Sequence, residues 1–394
     1  EDNGKANSNA IEDTEVNSPG VTDNEIVVGQ IGAQSGNYGV YDYVRQGLQA
    51  YFNYVNDEGG INGRNIKLVA YDDKFETKTT LQMAKRLEEN DKVFAFVGNV
   101  GTIQTLAIKD YLKQNNIPLV GVASGAKVLF DPADENIFGN VVNYTIEVDV
   151  LIDYLVKEKG VKKLFVSYLD TDAGKETLDG VERALERHPD LEVVGKEAHL
   201  PTDTDFSTVA QKIKQSGADS VIVGSGPSTT ANLKKDLYKL KLEKLLFATS
   251  STGGDDPNLF TLVGEDIWNG TISTTSLLSE KYSEDSDINI YMERMEKDFP
   301  DAPKSGFTMW GWAMGQIFAE GVKQSGDTLT RESLKQSLEA LTDWSGSLYP
   351  SLTYSKENHF GNTTIYITEA KDGEIVPITG QITFDVEKNE IMYK

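Results

Sequence analysis

The sequence predicts an α/β fold of two doubly wound layers, and three observations carry that prediction. Short apolar runs such as VFAFV at residues 93–97 have the composition of strands buried on both faces. Amphipathic stretches of helical period separate these runs. Small, glycine-punctuated loops follow them, and the pattern starts again after Asn140. Strands alternating with helices in this way build parallel sheets.

The first strand is predicted at residues 25–31 (EIVVGQI), followed by the small-residue loop GAQSGNYG at 32–39. Leu48, Tyr51, Phe52 and Val55 then recur at i, i+3, i+4 and i+7, which buries one face of a helix. Glu58-Gly59-Gly60 stops that helix, residues 66–71 form the next strand, and residues 79–87 continue helical. The segment from Val97 to Gly125 reads as strand, turn, helix, strand and a second turn. Its two turns are Gly98-Asn99-Val100-Gly101-Thr102 and Ala123-Ser124-Gly125. Loops at the carboxyl ends of adjacent parallel strands form the crevice in which open α/β sheets bind ligands, so these turns are expected to make one wall of a small-molecule site.

After Asn140 a helix is expected at 146–156, a strand at 162–168 ending in Asp170-Thr171-Asp172-Ala173-Gly174, and a helix through Leu178, Val181 and Leu185. Strands at 219–224 and 245–248 end in Ser225-Gly226-Pro227-Ser228 and in a loop opening on Thr249-Ser250-Ser251. Residues 268–277 are expected to be extended, and 290–299 and 309–323 helical. Trp312 on the last of these reads as core, whereas Trp310, nearer the helix start, is kept as a site candidate. Residues 352–393 alternate in the manner of late strands and hairpins.

Composition limits the function. There are 38 Lys and Arg against 62 Asp and Glu in 394 residues, a net charge of -24, which argues against a nucleic-acid partner. Mean hydropathy is -0.39, and no window approaches the roughly 18 continuous apolar residues of a membrane span. Cysteine is absent and the three histidines have no ligand-like spacing, so no metal site is expected. The glycines around the first loop, at 29, 32, 36 and 39, do not make G-x-G-x-x-G, and no phosphate-loop lysine follows. No cofactor is expected, and no catalytic constellation emerges. Residues 1–24 are polar without hydrophobic period and read as a disordered leader or tether.

Five stretches carry a resemblance: IVVGQIGAQSGNYG, GLQAYFNYVNDEGGINGRNIKLVAYDD, FVGNVGTIQTLA, IPLVGVASGA and YSKENHFGNTTIYI. From about Glu25 onward the chain resembles the type I periplasmic solute-binding proteins of ABC importers, in the leucine/isoleucine/valine-binding branch. The resemblance implies two α/β lobes joined by three hinge crossings, with ligand closed between them. The expected division is residues 25–143 plus 276–354 for lobe 1 and 144–275 plus 355–394 for lobe 2, with crossings near Asn143, near Thr275 and at residues 351–356.

The resemblance also implies a site. The family's carboxylate-binding hydroxyl falls on Thr102, beside Gly101 and Ser124, and the backbone groups that hold the ligand head fall on Ala123 and Gly125. Tyr38, Tyr41 and Tyr144 are expected as apolar walls with polar tips, and Gly226 and Ser251 as contributions of the second lobe. Three departures weaken the provision for an ammonium group. Gly125 stands where the family has a threonine, Ser250-Ser251 where it has an acid, and Ala173 where it has a tyrosine; Asp172 is the remaining acid for that role. The family's disulfide positions fall near Phe75 and Gly101.

The function so implied is an extracytoplasmic, monomeric binding protein, periplasmic or a cell-surface lipoprotein freed of its signal peptide. It captures a branched-chain or other hydrophobic amino acid, or an aromatic or apolar carboxylate, for a membrane permease. The alternative is the ligand-sensing ectodomain of a signalling receptor.

Overall fold

The computed structural model describes residues 18–242, 244–277, 286–304, 306–385 and 388–394. The leader expected at residues 1–24 therefore lies mostly outside the described residues, as does part of the second crossing. Up to Phe138 the chain alternates strands and helices. In order these are β1 (Glu25–Gly32), α1 (Asp42–Asp57), β2 (Asn65–Asp72), α2 (Thr77–Glu89), β3 (Ala95–Val100), α3 (Thr102–Gln114), β4 (Leu119–Ala123) and β5 (Ile137–Phe138). The five strands form one sheet in the order β2-β1-β3-β4-β5, parallel throughout. Residues such as Val28, Val97, Val120 and Phe138 are fully buried, as the apolar runs require.

The chain then builds a second sheet. Its elements are α4 (Tyr144–Lys159), β6 (Lys163–Leu169), α5 (Asp172–Arg187), β7 (Glu192–His199), α6 (Ser207–Ser216), β8 (Ser220–Gly224), α7 (Pro227–Lys239) and β9 (Leu246–Thr249). After them come α8 (Ser251–Gly254), α9 (Asn258–Val263), α10 (Glu265–Trp268) and β10 (Ile272–Thr275). Three helices follow, α11 (Ser286–Asp298), α12 (Phe307–Gln324) and α13 (Arg331–Glu339), of which α12 covers β3 and β4 and packs on α1. The chain ends in β11 (Thr364–Lys371), β12 (Glu374–Pro377), β13 (Ile382–Asp385) and β14 (Glu390–Tyr393). The second sheet runs β14-β13-β11-β10-β9-β8-β6-β7, with β12 on β11. Its parallel part is β7 to β10, and β11 turns it antiparallel.

Several expected boundaries move, each for a physical reason. Gly98, Asn99 and Val100 belong to β3 and not to a loop. The Asn99 carboxamide accepts the Ile31 N–H at 3.0 Å, and Asn99 and Val100 pair with Val122 and Ala123, so the sheet continues to Val100. Only Gly101 separates β3 from α3. The segment expected as the loop 170–174 starts α5 at Asp172, because the Thr171 hydroxyl caps the Gly174 N–H at 3.1 Å. Trp268, expected in an extended run, ends α10. The helices α7, α9 and α13 have no counterpart in the sequence reading.

The third crossing lies later than residues 351–356. Leu352 and Tyr354 are buried in the core of the first sheet, and His359 stacks on Phe138 with ring centroids 4.0 Å apart. Phe360 packs on Phe130 at 5.0 Å. Residues 355–361, expected in lobe 2, thus sit against the first sheet, and the chain passes to β11 only after the Asn362 amide donates to the Asn140 carbonyl at 3.2 Å. Trp312 is core as expected, enclosed edge-on by Tyr51 and Tyr291 and stacked by Tyr54.

Candidate functional site

The carboxyl ends of the parallel strands of both sheets face one cavity of about 290 Å³. On one side it takes Val100 at the end of β3 with Gly101 and Thr102 after it, Ala123 at the end of β4, and Tyr38 and Tyr41 from the segment after β1. On the other it takes Leu169 at the end of β6 and Thr171 after it, Gly224 at the end of β8 with Ser225 and Gly226 after it, and Ser250 and Thr252 after β9. This is the crevice that doubly wound sheets reserve for ligands. Most of its wall is apolar or aromatic, and among the described residues that line it none carries a formal charge.

Gly101 is the N-cap of α3 with φ +103°, a conformation that glycine tolerates best. A Cβ there would meet the Gln104 side chain at 2.1 Å and the Phe75 ring at 2.9 Å. Phe75 therefore fills the place that the resemblance gives to one half of a disulfide. Because Gly101 offers no side-chain cap, the first N–H groups of α3 keep no intrahelical acceptor and open toward the cavity end. Thr102 begins the helix, and its Oγ1 lies 2.7 Å from Ser124 Oγ, which also accepts the Ala126 N–H at 3.2 Å. A hydroxyl beside free helix N–H groups can hold a carboxylate without a buried cation.

The aromatic wall is a stack. Phe75 lies between Tyr38, at 4.6 Å, and Tyr41, at 5.2 Å, while Tyr41 meets Phe307 edge-on and Phe307 meets Trp310 edge-on. Burial raises the Tyr41 and Tyr144 phenols above their ordinary range, so both remain neutral donors.

Of the residues expected at the site, Tyr38, Gly101, Thr102, Ala123, Tyr144 and Gly226 line the cavity, together with Tyr41 and the further candidate Trp310. Ser124 stands behind Thr102. Gly125 is also set back, and a Cβ on it would come within 2.1 Å of the Val142 carbonyl and 3.0 Å of the Tyr144 ring. Asp172 is exposed in the first turn of α5 and does not line the cavity. Ser251 is also off the wall, its N–H donating to Glu147 Oε1 at 2.7 Å. Glu147 accepts the Thr274 hydroxyl as well, tying α4 to β10, and burial raises its carboxyl.

Phe75, Phe307, Ser225 and Thr252 line the cavity without being expected there, and Ser250, at the place where the resemblance has an acid, lines it in place of Ser251. The Ser225-Gly226-Pro227 turn, small residues ending a strand with proline at the first helical position, was the available signal for Ser225.

Comparison with known proteins agrees with this geometry. The chain is 23% identical over 353 residues to Leu/Ile/Val-binding protein homolog 3 of Brucella melitensis, covering 89% of this chain and 93% of that one. A fatty acid ABC transporter substrate-binding protein from Thermomonospora curvata superposes with a TM-score of 0.84 at 21% identity, covering 95% and 96% of the two chains. A solute-binding protein from R. palustris in complex with 4-hydroxybenzoate superposes with a TM-score of 0.77 at 18% identity, covering 90% and 95%. The model of the periplasmic binding protein family matches residues 25–374, and the chain belongs to that family.

Proposed function

We propose that this protein is an extracytoplasmic binding protein that closes two lobes over an apolar or aromatic carboxylate lacking an amine, and passes it unchanged to the membrane permease of an ABC importer. The observation that carries this reading is the uncharged cavity wall between the two sheets. Burying an ammonium there without an acidic partner would cost several kcal/mol. A carboxylate, in contrast, finds the Thr102 hydroxyl and the first turn of α3, whose macrodipole favours negative charge. The names of the fatty-acid-binding and 4-hydroxybenzoate-bound proteins of the same fold support an acid of this kind.

Lobe 1 in this reading comprises residues 25–143 and 276–361, and lobe 2 residues 144–275 and 362–394. Tyr38, Gly101, Thr102 and Ala123 supply one jaw, Gly226 the other, and Tyr144 stands at the first crossing. Ligand contacts to both jaws favour the closed form by the difference in affinity between the two states. Mass spectrometry of the small molecule released by denaturing natively purified protein tests the proposal. An amine-free acid is expected, and release of a hydrophobic amino acid would refute it.

A further inference from the structure

Behind the second-lobe wall of the cavity stands a buried imidazole that the site described so far does not use. His199 ends β7 and is 5% exposed. Its Nε2 lies 2.9 Å from Ser225 Oγ and its Nδ1 lies 3.2 Å from Ser167 Oγ. Ser225 Oγ in turn contacts Thr229 Oγ1, and the Thr229 hydroxyl lies 3.2 Å from the Gly226 carbonyl. Ser225 and Thr229 line the cavity, whereas His199 does not.

Proton counting allows this chain two orders. A hydroxyl has one proton, so Ser225 either donates to Thr229 and accepts from His199 Nε2–H, or accepts from Thr229 and donates to His199 Nε2. The neutral imidazole has one N–H, so it bonds Ser167 at Nδ1 in the sense opposite to its bond with Ser225. Burial lowers the imidazole to about 4, which keeps it neutral. In either order Ser225 Oγ is left with its proton committed and a lone pair available to the cavity. The opposite jaw supplies donors, since the Thr102 and Ser124 hydroxyls share one bond with a proton to spare and the first turn of α3 presents backbone N–H groups.

We propose that the ligand carries a neutral hydrogen-bond donor, a hydroxyl, at the end remote from its carboxylate, and that Ser225 Oγ receives it, with His199 as the positioning residue that holds Ser225 as an acceptor. An amine in that place would bring a charge that no lining side chain balances. The hydroxyl also accepts, so it suits the first-turn N–H groups of α7 beside Ser225. This inference rests on the proposed capture of amine-free acids.

The test is calorimetry on ligand-stripped protein with acids that differ only at the remote position: benzoate, 4-hydroxybenzoate and 4-methoxybenzoate, and the same three forms of 3-phenylpropanoate. In the wild type the hydroxy acid of the better-binding series is expected to bind about tenfold more tightly than its unsubstituted and methoxy partners, one hydrogen bond's worth in a desolvated site. Ser225→Ala should erase that ratio. His199→Leu should erase it too, and His199→Gln, which retains an N–H donor, should restore part of it. A merely structural histidine would shift all three acids together and leave the ratio unchanged.

Equal binding of hydroxy and methoxy acids by the wild type, or persistence of the ratio in Ser225→Ala, would overturn the assignment while leaving capture of acids intact. Binding of phenylalanine with none of the six acids would overturn the underlying reading and this inference with it.

Discussion

The Glu176 carboxylate accepts the Lys127 backbone N–H at 2.7 Å, and this bond joins the two sides of the cleft. Lys127 follows β4 of the first sheet, and Glu176 belongs to α5 of the second. The carboxyl is buried, its other oxygen has no partner among the described residues, and burial pushes Glu176 up to about 8.

A pH dependence follows from that burial. The folded protein keeps a proton on Glu176 at pH values where the unfolded chain, with an ordinary carboxyl near 4.5, has lost it. The contribution of this group to stability is therefore greatest below about 4.5 and falls as pH rises to about 8, by up to roughly 1.4 kcal/mol per pH unit for this one proton. Asp255, raised to about 7 by burial, and Asp256, raised to about 6, act in the same direction over a narrower window. Melting temperatures from pH 5 to 8 should fall less steeply in Glu176→Gln than in the wild type. Parallel curves would remove Glu176 from the account.

Thr102→Val keeps the shape of the side chain but loses the hydroxyl beside the open end of α3. Affinity for a bound carboxylate should fall by roughly 1–3 kcal/mol, with Thr102→Ser close to wild type. Calorimetry with the best acid checks both variants, and unchanged affinity in Thr102→Val would take the hydroxyl out of the site.

Gly125→Thr restores the residue that the resemblance leads one to expect. The Val142 carbonyl and Tyr144 ring occupy the space a Cβ would need, so the backbone of the first crossing must shift. The variant should lose roughly 1–3 kcal/mol in denaturant unfolding and gain no affinity for amino acids. New amino-acid binding without loss of stability would contradict this packing account.

Trp312→Ala and Trp310→Ala should part ways. Trp312 lies inside an aromatic enclosure away from the cavity, and its loss should cost roughly 3–5 kcal/mol of stability. Trp310 lines the cavity beside Phe307, so its loss should weaken ligand binding more than Trp312→Ala does. Binding and unfolding of both variants, measured side by side, settle the comparison.

The fold was legible because its strongest signals are local. The buried runs of β1, β3 and β8 and the amphipathic period of α1 need no tertiary information. The position of the third crossing was not legible, because it depends on His359 and Phe360 finding Phe138 and Phe130 far away in the chain. The helix α13 escaped for a related reason. Its nine residues are mostly polar, and it is held by Arg331 donating to the Phe94, Val93 and Asn115 carbonyls and to Glu88.

At the site, the turn containing Gly101 and Thr102 is marked in the sequence by its place after an apolar run, and the role given to Thr102 comes from the resemblance. The contact between Ser225 and His199 could not be read, because β7 and β8 are brought together by each pairing with β6. Asp172 is the acid that the sequence reading leaves for an ammonium, reaching from the facing lobe. The cap made by Thr171 instead starts α5 there and leaves Asp172 exposed.

The central claim is that the cavity accepts a carboxylate and rejects the α-ammonium of an amino acid. The most direct measurement compares 3-phenylpropanoate with phenylalanine, which differ only in that group, by the melting temperature of ligand-stripped protein. The acid at about a hundred times its dissociation constant should add about 2.7 kcal/mol of stability, and phenylalanine at the same concentration should add little. A shift with phenylalanine equal to or larger than that with the acid would contradict the account.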